Sequence, residues 1–239
     1  MMTNHLGEWR RGFYKGIPIG IGYFFVSFTF GMMAVMSGLS PWLAIVISMT
    51  NLTSAGQFAG TNLILSGAGG IEITLTTFVI NIRYMLMSLS LSQKIRKGTK
   101  RLSRLIFSFG VTDEVFAVAV SEQEELTGSY MFGLIAAPYL GWTVGTAFGA
   151  FASGFMSARV QNAMGIALYG MFIAIIVPPA KKSFPVLFTV LFSIALHLLM
   201  EWIPWFQAIS SGFRIIFVTL LAAGIAAWLF PVKGKEECV

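Results

Sequence analysis

Charge is scarce in this sequence. Only 11% of its 239 residues are Asp, Glu, Lys or Arg, against about 25% in an ordinary soluble domain. So few charges cannot cover a globule of this size, which excludes a soluble enzyme. The 56% of hydrophobic residues excludes a disordered chain. Cysteine is nearly absent: the single one, Cys238, excludes a disulfide framework and a cysteine metal site. Walker, HExxH and GxSxG sequences are missing, and Gly20-Ile21-Gly22 does not extend to a GxGxxG. Asp113 is the sole aspartate, so a catalytic pair of aspartates is excluded as well. Neither enzymatic chemistry, nor a metal, nor a cofactor is expected. The net charge of +6 comes without an aromatic-basic surface pattern, so nucleic acid is not an expected partner.

What is present is apolar length. Eight stretches stand out: Ile17–Met36, Pro41–Ser66, Ile71–Gln93, Leu105–Val120, Tyr130–Phe155, Ala163–Val177, Phe184–Met200 and Phe213–Phe230. A crossing helix takes about 20 residues, and none of these runs alternates as barrel strands do. The chain therefore reads as an all-α, polytopic membrane helix bundle of about six to eight segments, one integral membrane domain over residues 1–239. Arg10, Arg11 and Lys15 precede the first stretch without a cleavage signal, so it reads as an uncleaved span. Trp9, Trp42, Trp202, Trp205 and Trp228 fall near segment ends, where indoles favour the headgroup region, while Trp142 lies well inside a stretch.

The basic residues test the topology. If all eight stretches cross, seven basic residues fall on one side and eight on the other, which is no bias. If the second stretch enters and leaves on the same face, the split becomes eleven to four. If the fourth does so too, it becomes thirteen to two, with Arg83 left inside the membrane. Positive loops stay cytoplasmic, so at least one broken or re-entrant helix is expected, with the N-terminus and the Lys94–Arg104 loop on the cytoplasmic side. The polar centre of the second stretch, NLTSAGQFAG, is the better place for it. One long tilted helix with its hydroxyls bonded to its own carbonyls is the competing reading.

Arg83 sits near the middle of the third stretch, too deep to reach either surface. Such a residue turns inward and is paired, and Asp113 or Glu114 is the expected partner. The pair is either a static pin between helices or a contact for a substrate carboxylate, which suits a guanidinium fork. Adjacent acids point about 100° apart on a helix, so one can pair while the other titrates. Thr112 and Asp113 also suit an N-cap where a broken helix restarts. Asn51, Ser54 and Gln57 share one face if the helix persists there, and Asn81 precedes Arg83 by two positions; this set either bonds neighbouring helices or lines a path. Gly141, Gly145 and Gly149, followed by Ser153, form a small-residue ridge for close helix packing with an undetermined partner. Gly16 and Gly20 around Pro18 suit a kink or a hinge, and His197 with Glu201 an interfacial hydrogen bond or a proton relay.

With these positions identified, the chain resembles the AzlC family, the large subunit of bacterial branched-chain amino acid exporters. The resemblance rests on GIPIGIGYFFVSFTFG, SAGQFAG, NIRYMLMSLSL and TDEVFAV, in that order, and covers nearly the whole length. It implies a secondary transporter, an efflux permease for leucine, isoleucine, valine and methionine, coupled to protons and paired with a small AzlD-type membrane subunit. Where relatives carry a histidine after the arginine, Tyr84 stands here. On that reading Asn51, Ser54, Gln57, Asn81 and Arg83 hold the substrate, and Asp113 and Glu114 pair with Arg83 or carry the proton. A non-transporting membrane scaffold is the alternative.

Overall fold

In a computed structural model, which describes residues 5–207 and 209–231, helix α1 (His5–Met36) is 32 residues long. Lys233, Lys235 and Cys238 lie outside the described residues. Helix α1 stops because Gly38 adopts φ +100°, and Leu39 N–H then closes on the Ala34 carbonyl at 3.0 Å. Ser40 next caps α2 (Pro41–Thr50), accepting from Leu43 N–H at 3.3 Å, with Pro41 in the first turn where its missing N–H is harmless. The helix breaks at residues 51–54 and restarts as α3 (Ala55–Leu65), which ends at a second glycine closure: Gly67 at φ +73° and Ala68 N–H on the Leu63 carbonyl at 3.0 Å.

These two short helices fold back on each other. Gln57 of α3 donates to Ser48 of α2 at 2.6 Å, and Leu65 returns to the cluster that holds Leu39 and Ala44. Their 10 and 11 residues reach about 15 Å each, half of a hydrocarbon layer about 30 Å thick. The second stretch is therefore both broken and re-entrant.

The fourth stretch repeats the device from the opposite end. Helix α4 (Gly70–Lys94) runs antiparallel to α1 and delivers the chain to that end, and α5 (Arg101–Ser108) rises from it. The Phe107 ring meets Phe132 at 5.9 Å and the Phe109 ring meets Tyr139 at 6.3 Å. Thr112 then caps α6 (Asp113–Ser121), accepting from Val115 N–H at 3.4 Å, and α6 runs back to Glu122 beside Arg11. Each hairpin has its own apolar core. Phe30, Ala34, Leu39, Ala44 and Phe58 bury the first; Leu91, Phe107, Val111, Val115, Ala119 and Leu134 bury the second.

Helix α7 (Gly128–Ala152) lies parallel to α1 along its length and is the wall against which both hairpins pack. Gly133 faces Trp9, Gly141 faces Gly20, Gly145 faces Phe24 and Ser27, and Gly149 faces Phe28, so the partner of the glycine ridge is α1. From the other side Gly12, Gly16, Gly20 and Gly31 abut α7 carbonyls. Gly16 and Gly20 thus serve close approach, in a helix that continues past Pro18.

After a single 3₁₀ turn (Ser153–Phe155), helices α8 (Ala158–Lys182), α9 (Phe184–Trp202), α10 (Pro204–Gln207) and α11 (Ser211–Leu229) complete the bundle. Glu72 near the start of α4 accepts Gly212 N–H at 2.8 Å, which caps α11 and joins it to the first half. Among the described residues, α1, α4, α7, α9 and α11 are long and apolar enough to cross a membrane. Arg10, Arg11, Lys15, the Lys94–Arg104 cluster, Lys181 and Lys182 gather at one end, Arg159 and Arg214 at the other, with Arg83 between. Trp9, Trp42, Trp202, Trp205 and Trp228 are exposed, whereas Trp142 is buried.

Replacing Gly145 with leucine should force α1 from α7, because even a methyl there overlaps the Phe24 carbonyl oxygen. Overpacking of this kind costs about 1–3 kcal/mol or more. Thermal unfolding in detergent should show a clear fall in midpoint for Gly145→Leu and little change for Gly224→Leu, whose site is open.

Candidate functional site

The tips of the two hairpins meet halfway along the bundle, and a cavity of about 630 Å³ lies where they meet. Its polar wall is Ser54, Arg83, Tyr84, Asp113 and Glu114; its apolar wall includes Pro18, Ile19, Val26, Leu52 and Trp142. A second cleft, about 410 Å³ between α1 and α7, is lined only by apolar residues and offers a charged ligand nothing.

Arg83 reaches Asp113, Nη1 to Oδ2, at 2.8 Å, and both side chains remain about half open to the cavity. The Arg83 guanidinium also lies 4.9 Å from the centre of the Tyr84 ring and donates to the Tyr84 hydroxyl at 3.2 Å. Glu114 points elsewhere, as an adjacent helical residue must, and accepts the Tyr23 hydroxyl of α1. Tyr23 is in turn set edge-on against Trp142, ring centres 5.2 Å apart. One acid is thus tied to α4 and the other to α1.

Both helices that begin at the tips, α3 and α6, aim their N-termini at this cavity. The first turn of α6 carries Asp113 and Glu114, which offset its positive end. The first turn of α3 carries no acid, and Ser54 makes no capping bond. Ser54 also holds φ 43°, outside the usual region for a residue other than glycine. Strain of this kind persists only where the surroundings impose it. The site therefore sets two carboxylates against one guanidinium and one uncapped helix N-terminus, in a space walled by apolar side chains.

The remaining polar residues expected at the site hold the first tip in place. Because the helix stops at Thr50, Asn51, Ser54 and Gln57 do not share a helical face. Ser54 lines the cavity; Asn51 accepts from Thr53 at 2.5 Å, and Asn81 of α4 donates to the same Thr53 at 3.4 Å while packing against Gly56. Gln57 is fully buried: it accepts the Trp142 indole N–H at 2.9 Å and donates to Ser48, whose hydroxyl meets Thr146 at 2.7 Å. This chain of bonds fastens the first hairpin to α7. His197 and Glu201 approach at 3.8 Å with Arg214 at 3.7 Å from Glu201, near the end of the bundle opposite the Lys94–Arg104 cluster.

Sequence reasoning missed Glu122. It is buried, and it receives Arg11 at 2.5 Å, Lys15, and the Tyr130 hydroxyl at 2.7 Å. Lys94 bonds the Val120 and Glu122 carbonyls beside it. This clamp joins α1, α4, α6 and α7 on the basic side of the cavity, one helical turn from Pro18. Burial alone would raise the Glu122 carboxyl, but hydrogen bonds from Lys15, Tyr130 and Arg11 outweigh it and bring it from 4.5 to about 2. No local motif marks such a group, since its two cationic partners, Arg11 and Lys15, lie more than a hundred residues away.

Comparison with known proteins adds a family. The family model described as AzlC protein matches residues 18–156, which carry both hairpins and all of α7. The inner membrane protein YgaZ of Escherichia coli (strain K12) is 30% identical over 180 residues, covering 72% of this chain and 74% of that one. An uncharacterized membrane protein of Archaeoglobus fulgidus is 29% identical over 174 residues, covering 72% of this chain and 76% of its own. The branched-chain amino acid transport protein AzlC of Bacillus subtilis (strain 168) is 23% identical over 177 residues, covering 73% of this chain and 68% of its own. No solved structure matches.

The Glu122 clamp has a defined pH signature. A carboxyl held below its ordinary value stabilises the fold fully above pH 4.5, and that contribution is lost as the pH falls toward 2. Glu122→Gln should therefore lower the thermal midpoint at pH 7 and flatten the decline of that midpoint between pH 5 and 2, measured by thermal unfolding in detergent.

Proposed function

Because the chain belongs to the AzlC family of multi-pass membrane proteins, we propose that it is a secondary transporter that expels branched-chain amino acids, and methionine with them, across the inner membrane. The basic end is the cytoplasmic one. The substrate is a zwitterion with an aliphatic side chain, and the cavity offers a counterpart for each part of it. Arg83 and the uncapped N-terminus of α3 at Ser54 attract the carboxylate. Asp113 and Glu114 attract the ammonium group, and the apolar wall receives the side chain. The observation that carries the proposal is this half-open Arg83–Asp113 pair, facing a second acid inside a membrane-depth cavity between two helix starts. Two of the charges already neutralise each other, so a zwitterion can exchange with them without leaving a net charge in the membrane.

Export runs against the amino-acid gradient and draws on protons. Asp113 is engaged by Arg83, which leaves Glu114, held by Tyr23, as the acid available to carry one. The Glu122 clamp closes the cytoplasmic side in this conformation, and opening it is part of the cycle. A small membrane subunit of the AzlD type completes the exporter. The relative from Bacillus subtilis, whose name states branched-chain amino acid transport, supports the substrate class.

Export of radiolabelled leucine from preloaded cells expressing the chain with an AzlD-type small subunit tests the reading. Arg83→Ala, Asp113→Asn and Glu114→Gln should each slow export about tenfold or more while the protein stays inserted. Normal export by all three would refute the site.

A further inference from the structure

From Gly12 onward the glycines of α1 divide into two kinds. Gly12, Gly16, Gly20 and Gly31 each lie against the backbone of α7, and a side chain at any of them would collide with a carbonyl oxygen. Gly22 does not. A Cβ built there meets nothing within 4 Å, and the residue is exposed on the wall of the cavity that holds Arg83, Asp113 and Glu114. It sits with Pro18 and Val26 along one face of α1, spaced by single turns, and Tyr23 beside it carries the bond to Glu114. A glycine inside a helix weakens that helix relative to alanine. Packing accounts for the glycines against α7 and leaves Gly22 without a structural reason.

We propose that Gly22 is a specificity-determining residue: its missing side chain is the space in which the aliphatic side chain of the substrate rests, against bare α1 backbone between Pro18 and Val26. The charged groups fix the amino-acid end across the cavity, so the volume left at Gly22 sets how large a side chain fits. Filling it shortens the slot without touching the charges. This inference rests on the transporter reading above and adds to it the residue that sets substrate size.

The test is equilibrium binding to the purified full chain, with radiolabelled leucine as the probe and alanine, valine and methionine as competitors. In an apolar pocket, one methylene decides about tenfold or more in discrimination. Gly22→Val should weaken leucine about tenfold or more and alanine less than about threefold, so the order of preference moves toward small amino acids. Gly22→Ala, which favours the helix, should move the order in the same direction to a smaller extent. Gly224→Val on α11 alters an equally open helical glycine away from the cavity and should leave the order unchanged. Equal losses for leucine and alanine would make Gly22 a hinge and overturn the proposal, as would wild-type preference in both Gly22 variants. Failure of the wild-type chain to bind any of these amino acids would overturn the transporter reading itself. Binding with unshifted preference would overturn only the role of Gly22.

Discussion

Backbone that is not helical cannot face hydrocarbon, because each unpaired N–H or C=O there costs several kcal/mol. This chain stops two helices at membrane depth, at residues 51–54 and 109–112, and the rest of the structure follows from having to enclose those two tips. The enclosure is the parallel pair of α1 and α7 with α4 beside it. The glycines let α1 and α7 touch backbone to backbone, which leaves a continuous wall for both hairpins. At the first tip the side chains of Asn51, Thr53 and Asn81 bond one another and tie the break to α4; at the second Thr112 caps the restart.

Opposed entry gives the site its chemistry. Each hairpin descends, breaks and returns, so each returning helix begins at mid-depth with its positive end toward the cavity. One of those ends is offset by Asp113 and Glu114, and the other is left bare. Arg83, delivered by α4 to the same level, completes a charge set that is close to neutral and stays partly open. A membrane protein with so few charges has placed three of them within one cavity.

Much of this architecture was legible because charge is rare. Counting Lys and Arg on each side favoured at least one re-entrant segment, and the structure has two. Thr112 and Asp113 were readable as a helix restart, and Arg83 as a residue needing an acid. Three features were not legible, each because it depends on long-range geometry. The glycine ridge of α7 announced close packing but not that α1 is its parallel partner. Gln57 has the look of a substrate ligand yet is a strut between Trp142 and Ser48, since the break ahead of it turns its side chain toward α7. Glu122 has the look of a loop acid until Arg11 and Lys15 arrive from α1, more than a hundred residues earlier in the chain.

The central claim is that two hairpins enter from opposite faces and meet at the charged cavity. Its most direct measurement is side-specific thiol labelling in a Cys238→Ser background, with single Ser→Cys changes at Ser37 and Ser66 for the first hairpin and at Ser103 and Ser121 for the second. With an impermeant maleimide, positions 37 and 66 should both react from one face, and positions 103 and 121 both from the other. Reaction of 37 and 66 from opposite faces would mean that the segment crosses the membrane, and would contradict the account.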